Sequence, residues 1–156
     1  MSMRNAPHVD AILRQALRLV SIQWMVQVAV VLAIGLVTPL VVTPSVEPGA
    51  ASRFLTAIFV AVSLVDLVIA WWLKARVLPT SLRSARTDAE AAGMMAGRSV
   101  VFVGQAITPA LLGLALYLTQ GDHVGLGTLF ALSLVGHWLL KPRHEEWQAM
   151  VRERGR

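Results

Sequence analysis

FLTAIFVAVSLVDLVIAWWL, residues 54–73, is an apolar run interrupted by a single carboxylate, Asp66. As a helix rising 1.5 Å per residue it covers about 30 Å, the thickness of the hydrocarbon core of a bilayer. A lipid-facing Asp at that depth costs about 2.5–3.5 kcal/mol on insertion scales, so Asp66 is expected inside a bundle, paired or neutralised. Trp71, Trp72 and then Lys74 close the run as an interfacial belt, with the indoles among the headgroups and the long cation reaching water.

The rest of the chain repeats this pattern. Apolar runs are read over residues 19–42, 54–78, 99–119 and 124–140, the last near the lower limit of about 17 residues for a crossing. Of 156 residues 56% are apolar and 15% charged, with a mean hydropathy of +0.63. A soluble chain of this size cannot bury four such runs on all sides, so a membrane protein is expected.

Basic residues sort by position. Arg4, Arg14 and Arg18 precede the first run; Lys74, Arg76, Arg83, Arg86 and Arg98 lie between the second and third; Lys141, Arg143, Arg152, Arg154 and Arg156 follow the fourth. The other two connections carry only Arg53. The positive-inside tendency puts both termini and the central connection in the cytoplasm. The expected fold is therefore all-α: a single integral domain over residues 1–156, a four-transmembrane-helix bundle arranged as two hairpins in the cytoplasmic (inner) membrane. The net charge of +5 suits anionic lipids on the cytoplasmic face rather than nucleic acid. Asp10 and the length of the first run favour a retained helix over a cleaved signal. The absence of cysteine excludes disulfides and thiolate-ligated metals.

Within the runs, polar and helix-breaking residues mark candidate sites. Gln23 and Gln27 share a face of the first span, and Pro39 and Pro44 bracket its far end. The segment RSARTDAEAAGMMAGR is expected to extend the third span as a helix, and its Gly93 and Gly97 form a GxxxG spacing outside the hydrocarbon region. In VFVGQAITPALLGLALYL, Pro109 predicts a kink whose opened backbone must be satisfied by a neighbour, with Gln105 or Thr108 as candidates. Ala106, Ala110 and Gly113 make a narrow seam for close helix packing. Asp66, Gln27, Gln105 and Thr108 are thus the candidate buried polar or transport residues. His137 and Trp138 belong near the inner interface, where the imidazole is a hydrogen-bonding group or proton relay. After Pro142, residues 143–154 predict a surface amphipathic helix with Trp147, Met150 and Val151 on one side, docking on the bilayer or a partner. Trp138 and Trp147 join Trp71, Trp72 and Lys74 as interfacial anchors.

No HExxH, P-loop, dinucleotide fingerprint or paired catalytic carboxylates occur, and His8, His123, His137 and His144 are dispersed, so an enzyme, a cofactor or a metal is not expected. The third span, GQAITPALLGLALYL, resembles the carboxyl-side helix of rotary ATPase membrane-ring subunits, whose pattern is of the type A-x-x-E-A-x-x-x-x-G-L, and four spans in two hairpins are similar to the duplicated forms of that family. The resemblance implies ion translocation. Pro109, however, stands near the position where that pattern has its ion-binding carboxylate, and Asp66 lies at a comparable depth in the other hairpin.

The expected function is a structural, assembly or accessory subunit of a larger membrane complex, with other membrane subunits or further copies of itself as partners and Asp66 as a polar latch. The alternatives are an oligomeric ion- or proton-translocating carrier using Asp66, and a protein that binds lipid or another hydrophobic ligand beside the kinked third span. Bound membrane lipids are compatible with each.

Overall fold

A computed structural model describes residues 6–44 and 46–154. Arg4 and Arg156 of the basic segments lie outside these residues, as do the side chains of His8, Arg152 and Arg154. All regular structure among the described residues is helical. The elements are α1 (Ala6–Leu32), a π turn (Ala33–Val37) and α2 (Thr38–Val41); α3 (Ala50–Trp72), a second π turn (Leu73–Val77) and α4 (Leu78–Leu82); α5 (Asp88–Gln105); α6 (Thr108–Gln120); α7 (His123–Leu140); and α8 (His144–Arg154). They join into four stretches long and apolar enough to cross a membrane, Asp10–Val41, Ala50–Thr80, Asp88–Gln120 and His123–Leu140. The protein is a multi-pass helical membrane protein. Its first three spans begin before the apolar runs, because amphipathic turns extend them; α5, for example, starts where the Thr87 hydroxyl accepts the Glu90 amide at 3.1 Å.

Prolines shape three of the four spans. The π turns stand just ahead of Pro39 and Pro79, with Thr38 N–H reaching the Ala33 carbonyl and Leu78 N–H the Leu73 carbonyl. A proline lacks the N–H that its turn needs, and a local π widening shifts the hydrogen-bond ladder without breaking the helix. The third span breaks instead: α5 ends at Gln105, and α6 restarts with Pro109 in its first turn.

The helices do not pack as two equal hairpins. α6 and α7 lie closest, because Gly113 lets the backbones approach: a Cβ there would sit 3.1 Å from the Leu129 Cβ and 3.2 Å from the Leu126 Cα. α1 leans on α5 and α7, whereas α3 leans on α5, α6 and α7. α1 and α3 touch each other little, and both pack on α5 and α7. Charge distribution predicts where the chain turns, but side-chain volume and shape decide which helices meet.

Two apolar clusters fill the bundle. One, at the end carrying Asp10 and α8, includes Leu13, Val20, Leu67, Ala70, Met95, Phe102, Leu140 and Trp147; the other joins Val31, Ile34, Ala110, Tyr117 and Leu126. At that second end the link between α6 and α7 needs a glycine. Gly121 has φ 65°, and a Cβ would lie 2.0 Å from the Val46 carbonyl oxygen. The Tyr117 hydroxyl donates to the Val42 carbonyl there and holds the end of the first span.

The expectation for Trp147 is corrected. It is 0% exposed, inside the first apolar cluster, and α8 packs on α1, α4 and α5 of its own chain. Gln148 donates to Asp10 at 2.9 Å, and Glu146 pairs with Lys74 at 3.0 Å, so polar contacts flank the buried indole. An amphipathic periodicity marks a face that seeks apolar surroundings; the end of the bundle supplies them before lipid does.

Candidate functional site

Between the two apolar clusters lies a layer to which every span contributes polar side chains. Its register follows from contacts across the bundle. A Cβ on Gly136 of α7 would meet Leu67 of α3 at 2.6 Å and the Ala106 Cβ at 3.4 Å, so these three positions share a level. Ser133, His137, Gln105 and Ser63 lie next to this level or one turn from it on their own helices. Trp24 of α1 joins through its indole N–H, which donates to the His137 carbonyl at 2.9 Å, and Gln27 lies about one turn further along α1.

Part of this layer is satisfied. The break before Pro109 frees backbone groups that lipid cannot solvate. The Ser133 hydroxyl donates to the Ala106 carbonyl at 2.6 Å. Thr108, expected to supply such a contact, is exposed at the start of α6, a correction that follows from the helix restarting with that side chain turned outward. The His137 Nδ1 lies 2.9 Å from the Ser133 carbonyl. A carbonyl only accepts, so Nδ1 carries the proton; Nε2 is then an acceptor in the neutral ring and a donor in the protonated one.

The remainder is not satisfied. His137 Nε2, Ser63 Oγ, Gln27 Oε1 and Gln105 Oε1 are buried atoms without a hydrogen-bond partner among the described residues. His137 and Ser63 are each only 1% exposed. Unmet polar atoms of this kind cost about 1–3 kcal/mol each unless water or a ligand reaches them.

Asp66 sits on the shoulder of the buried face of α3 that runs through Ser52, Ser63, Leu67 and Ala70. It is half-buried and makes no hydrogen bond or ion pair among the described residues. The expected pairing within the bundle is therefore absent among them, because the helix rotation that buries Ser63 and Leu67 leaves Asp66 at the rim. Ala106, Pro109, Ala110 and Gly113 are all buried in the seam of the third span. Trp71, Trp72 and Trp138 point out of the bundle, with 52%, 52% and 63% exposure. Lys74 is folded inward, donating to the Lys141 carbonyl at 3.1 Å. Gly93 and Gly97 face open space.

A buried carboxylate that sequence reasoning missed is Asp122, 6% exposed, at the N-terminus of α7. It accepts the Ser52 hydroxyl at 2.7 Å, the Thr56 hydroxyl at 2.6 Å and the Gly125 amide at 2.7 Å, tying α3 to α7. Burial opposes its ionisation, but the bonds from Thr56, the Gly125 amide, Ser52 and the Val124 amide outweigh burial and hold the carboxyl below its ordinary range. Asp immediately ahead of an apolar run is an N-cap signal that marks this position in the sequence. Ser52 and Thr56 carry no comparable signal.

Among the described residues no group of three or more His, Asp or Glu side chains comes together to hold a metal. Comparison with protein-family models, curated proteins and solved structures gives no match.

Proposed function

We propose that the protein is an accessory or assembly subunit of a larger complex in the cytoplasmic membrane, with both termini and the connection between the second and third spans on the cytoplasmic side. The observation that carries this reading is Asp66, a half-buried carboxylate in the middle of an apolar span, without a partner among the described residues. A carboxylate in that setting is stable when a neighbouring subunit supplies a donor or a cation. Its neighbours Val62, Val65 and Ile69 are exposed, so the same face has apolar surface for helix contact. Affinity purification of the full chain from its native membrane tests the proposal. A fixed set of membrane partners is expected with wild type, reduced with Asp66→Leu and partly kept with Asp66→Asn, which retains hydrogen bonding. Equal partner recovery for all three overturns the latch. For topology, a cysteine at Ser84 should resist an impermeant reagent in intact cells while one at Ala50 reacts.

A second reading, proton or ion translocation by an oligomer, is favoured by the unpartnered buried atoms of the polar layer, above all His137 Nε2. In it, water links the layer to Asp66, and the break before Pro109 opens the path. Liposomes holding the purified oligomer should then show proton flux lost in Asp66→Asn and in His137→Phe. Flux absent from wild type, or indifferent to both variants, removes this reading.

A further inference from the structure

Where α3, its π turn, the end of α7 and α8 converge, a cleft of ≈ 480 Å³ opens on the surface, lined by the aromatic Trp71 and Trp138 with Leu139, by the charged Lys74, Arg143 and Glu146, and by Pro79 and Met150. Its depth in the bilayer follows from the sequence. Trp71 closes the apolar run that starts at Phe54 and is about as long as the hydrocarbon core is thick, so its indole lies at the boundary; Lys74, about one turn further, lies among the headgroup phosphates. The cations of the cleft therefore begin at the level where a phospholipid changes from acyl chain to phosphate.

The cations are placed but not used up. Lys74 Nζ spends one donor on the Lys141 carbonyl at 3.1 Å and one on Glu146 at 3.0 Å, which leaves the third N–H of the ammonium. Arg143 approaches Glu146 at 3.8 Å through Nε, beyond hydrogen-bond reach, and no other described residue engages its guanidinium fork. One carboxylate faces two cations, and the site is one positive charge in excess. The π turn ahead of Pro79 carries Lys74 and Ala75 into the wall of the cleft, and the Glu146 pair fixes the lysine before any ligand arrives.

We infer that this cleft is a binding site for one anionic phospholipid, its phosphate held between Lys74 and Arg143 and an acyl chain lying along Trp71, Trp138 and Leu139. The excess positive charge selects a net anionic lipid over a zwitterionic one. Glu146, which competes with the phosphate for both cations, weakens the site and keeps it exchangeable.

The test uses the full chain in nanodiscs of phosphatidylglycerol, phosphatidylethanolamine and phosphatidylcholine in equal parts, followed by native mass spectrometry of the lipids retained. Wild type is expected to keep one phosphatidylglycerol in preference to the other two. Arg143→Gln, at an exposed side chain with no hydrogen bond among the described residues to lose, should lower that retention about fivefold, the factor represented by ~1 kcal/mol per cation near an anionic surface. Glu146→Gln should raise it. Retention of phosphatidylethanolamine or phosphatidylcholine as readily as phosphatidylglycerol overturns the inference, as does retention unchanged in Arg143→Gln. Displacement of the lipid by excess inorganic phosphate also overturns it, since the site would then recognise a free anion.

Discussion

The Ser133 hydroxyl donates to the Ala106 carbonyl at 2.6 Å, so a side chain of the fourth span closes the backbone break of the third. Both residues are buried, and no lipid or bulk water can substitute for the contact. Ser133→Ala should therefore cost about 1–3 kcal/mol, the penalty for a buried carbonyl left without a donor. Thermal unfolding in mild detergent measures it. An unchanged midpoint would show that the carbonyl finds another donor and that the contact is dispensable.

Trp147 and Trp138 make a matched pair for a second test, one 0% and the other 63% exposed. Trp147→Ala should lower stability by about 3–5 kcal/mol and expose α8 to protease, because it empties a filled position in the apolar cluster. Trp138→Ala should leave stability in detergent within about 0.5 kcal/mol of wild type. The two variants behaving alike would contradict the docking of α8 on its own bundle.

At the opposite end the ionised form of Asp122 is the one that its neighbours stabilise. Its carboxyl titrates below the ordinary value, so its contribution is complete above pH ~4 and is lost as the pH falls through the lowered folded value. Wild type should lose stability on acidification below about pH 4. Asp122→Asn should be less stable at pH 7 and should lack this part of the acid response. Unfolding midpoints at pH 7 and pH 3 for both proteins decide it, and parallel pH profiles would remove Asp122 as the cause.

Gly136 sets the closeness of α3 and α7, with Leu67 filling the space a side chain would need. Gly136→Ala should destabilise the bundle by about 1–3 kcal/mol through overpacking. Because the obstructing atom is the tip of a flexible leucine, Leu67→Ala should make the glycine substitution less costly in the double variant. Additive losses would mean that the two residues do not share the contact.

Much of this architecture is legible in the sequence alone, for physical reasons that act locally. Four apolar lengths dictate four helices able to cross a membrane, since an isolated backbone in lipid must satisfy itself as a helix. Pro109 dictates a break wherever its span packs, because the missing N–H belongs to the residue. The periodicity of the tail dictates that Trp147 turns to an apolar environment, but not that this environment is its own bundle. What tertiary structure decided is each partner. Helix rotation leaves Asp66 at the rim and carries Ser63, His137 and Gln105 toward the middle; the closeness allowed by Gly113 and Gly136 brings Ser133 to Ala106; and the turn at Gly121 delivers Asp122 to Ser52 and Thr56. Hydropathy and spacing describe one helix at a time. Hydrogen bonds between helices depend on the rotation and separation of two, which are set by packing over the whole bundle.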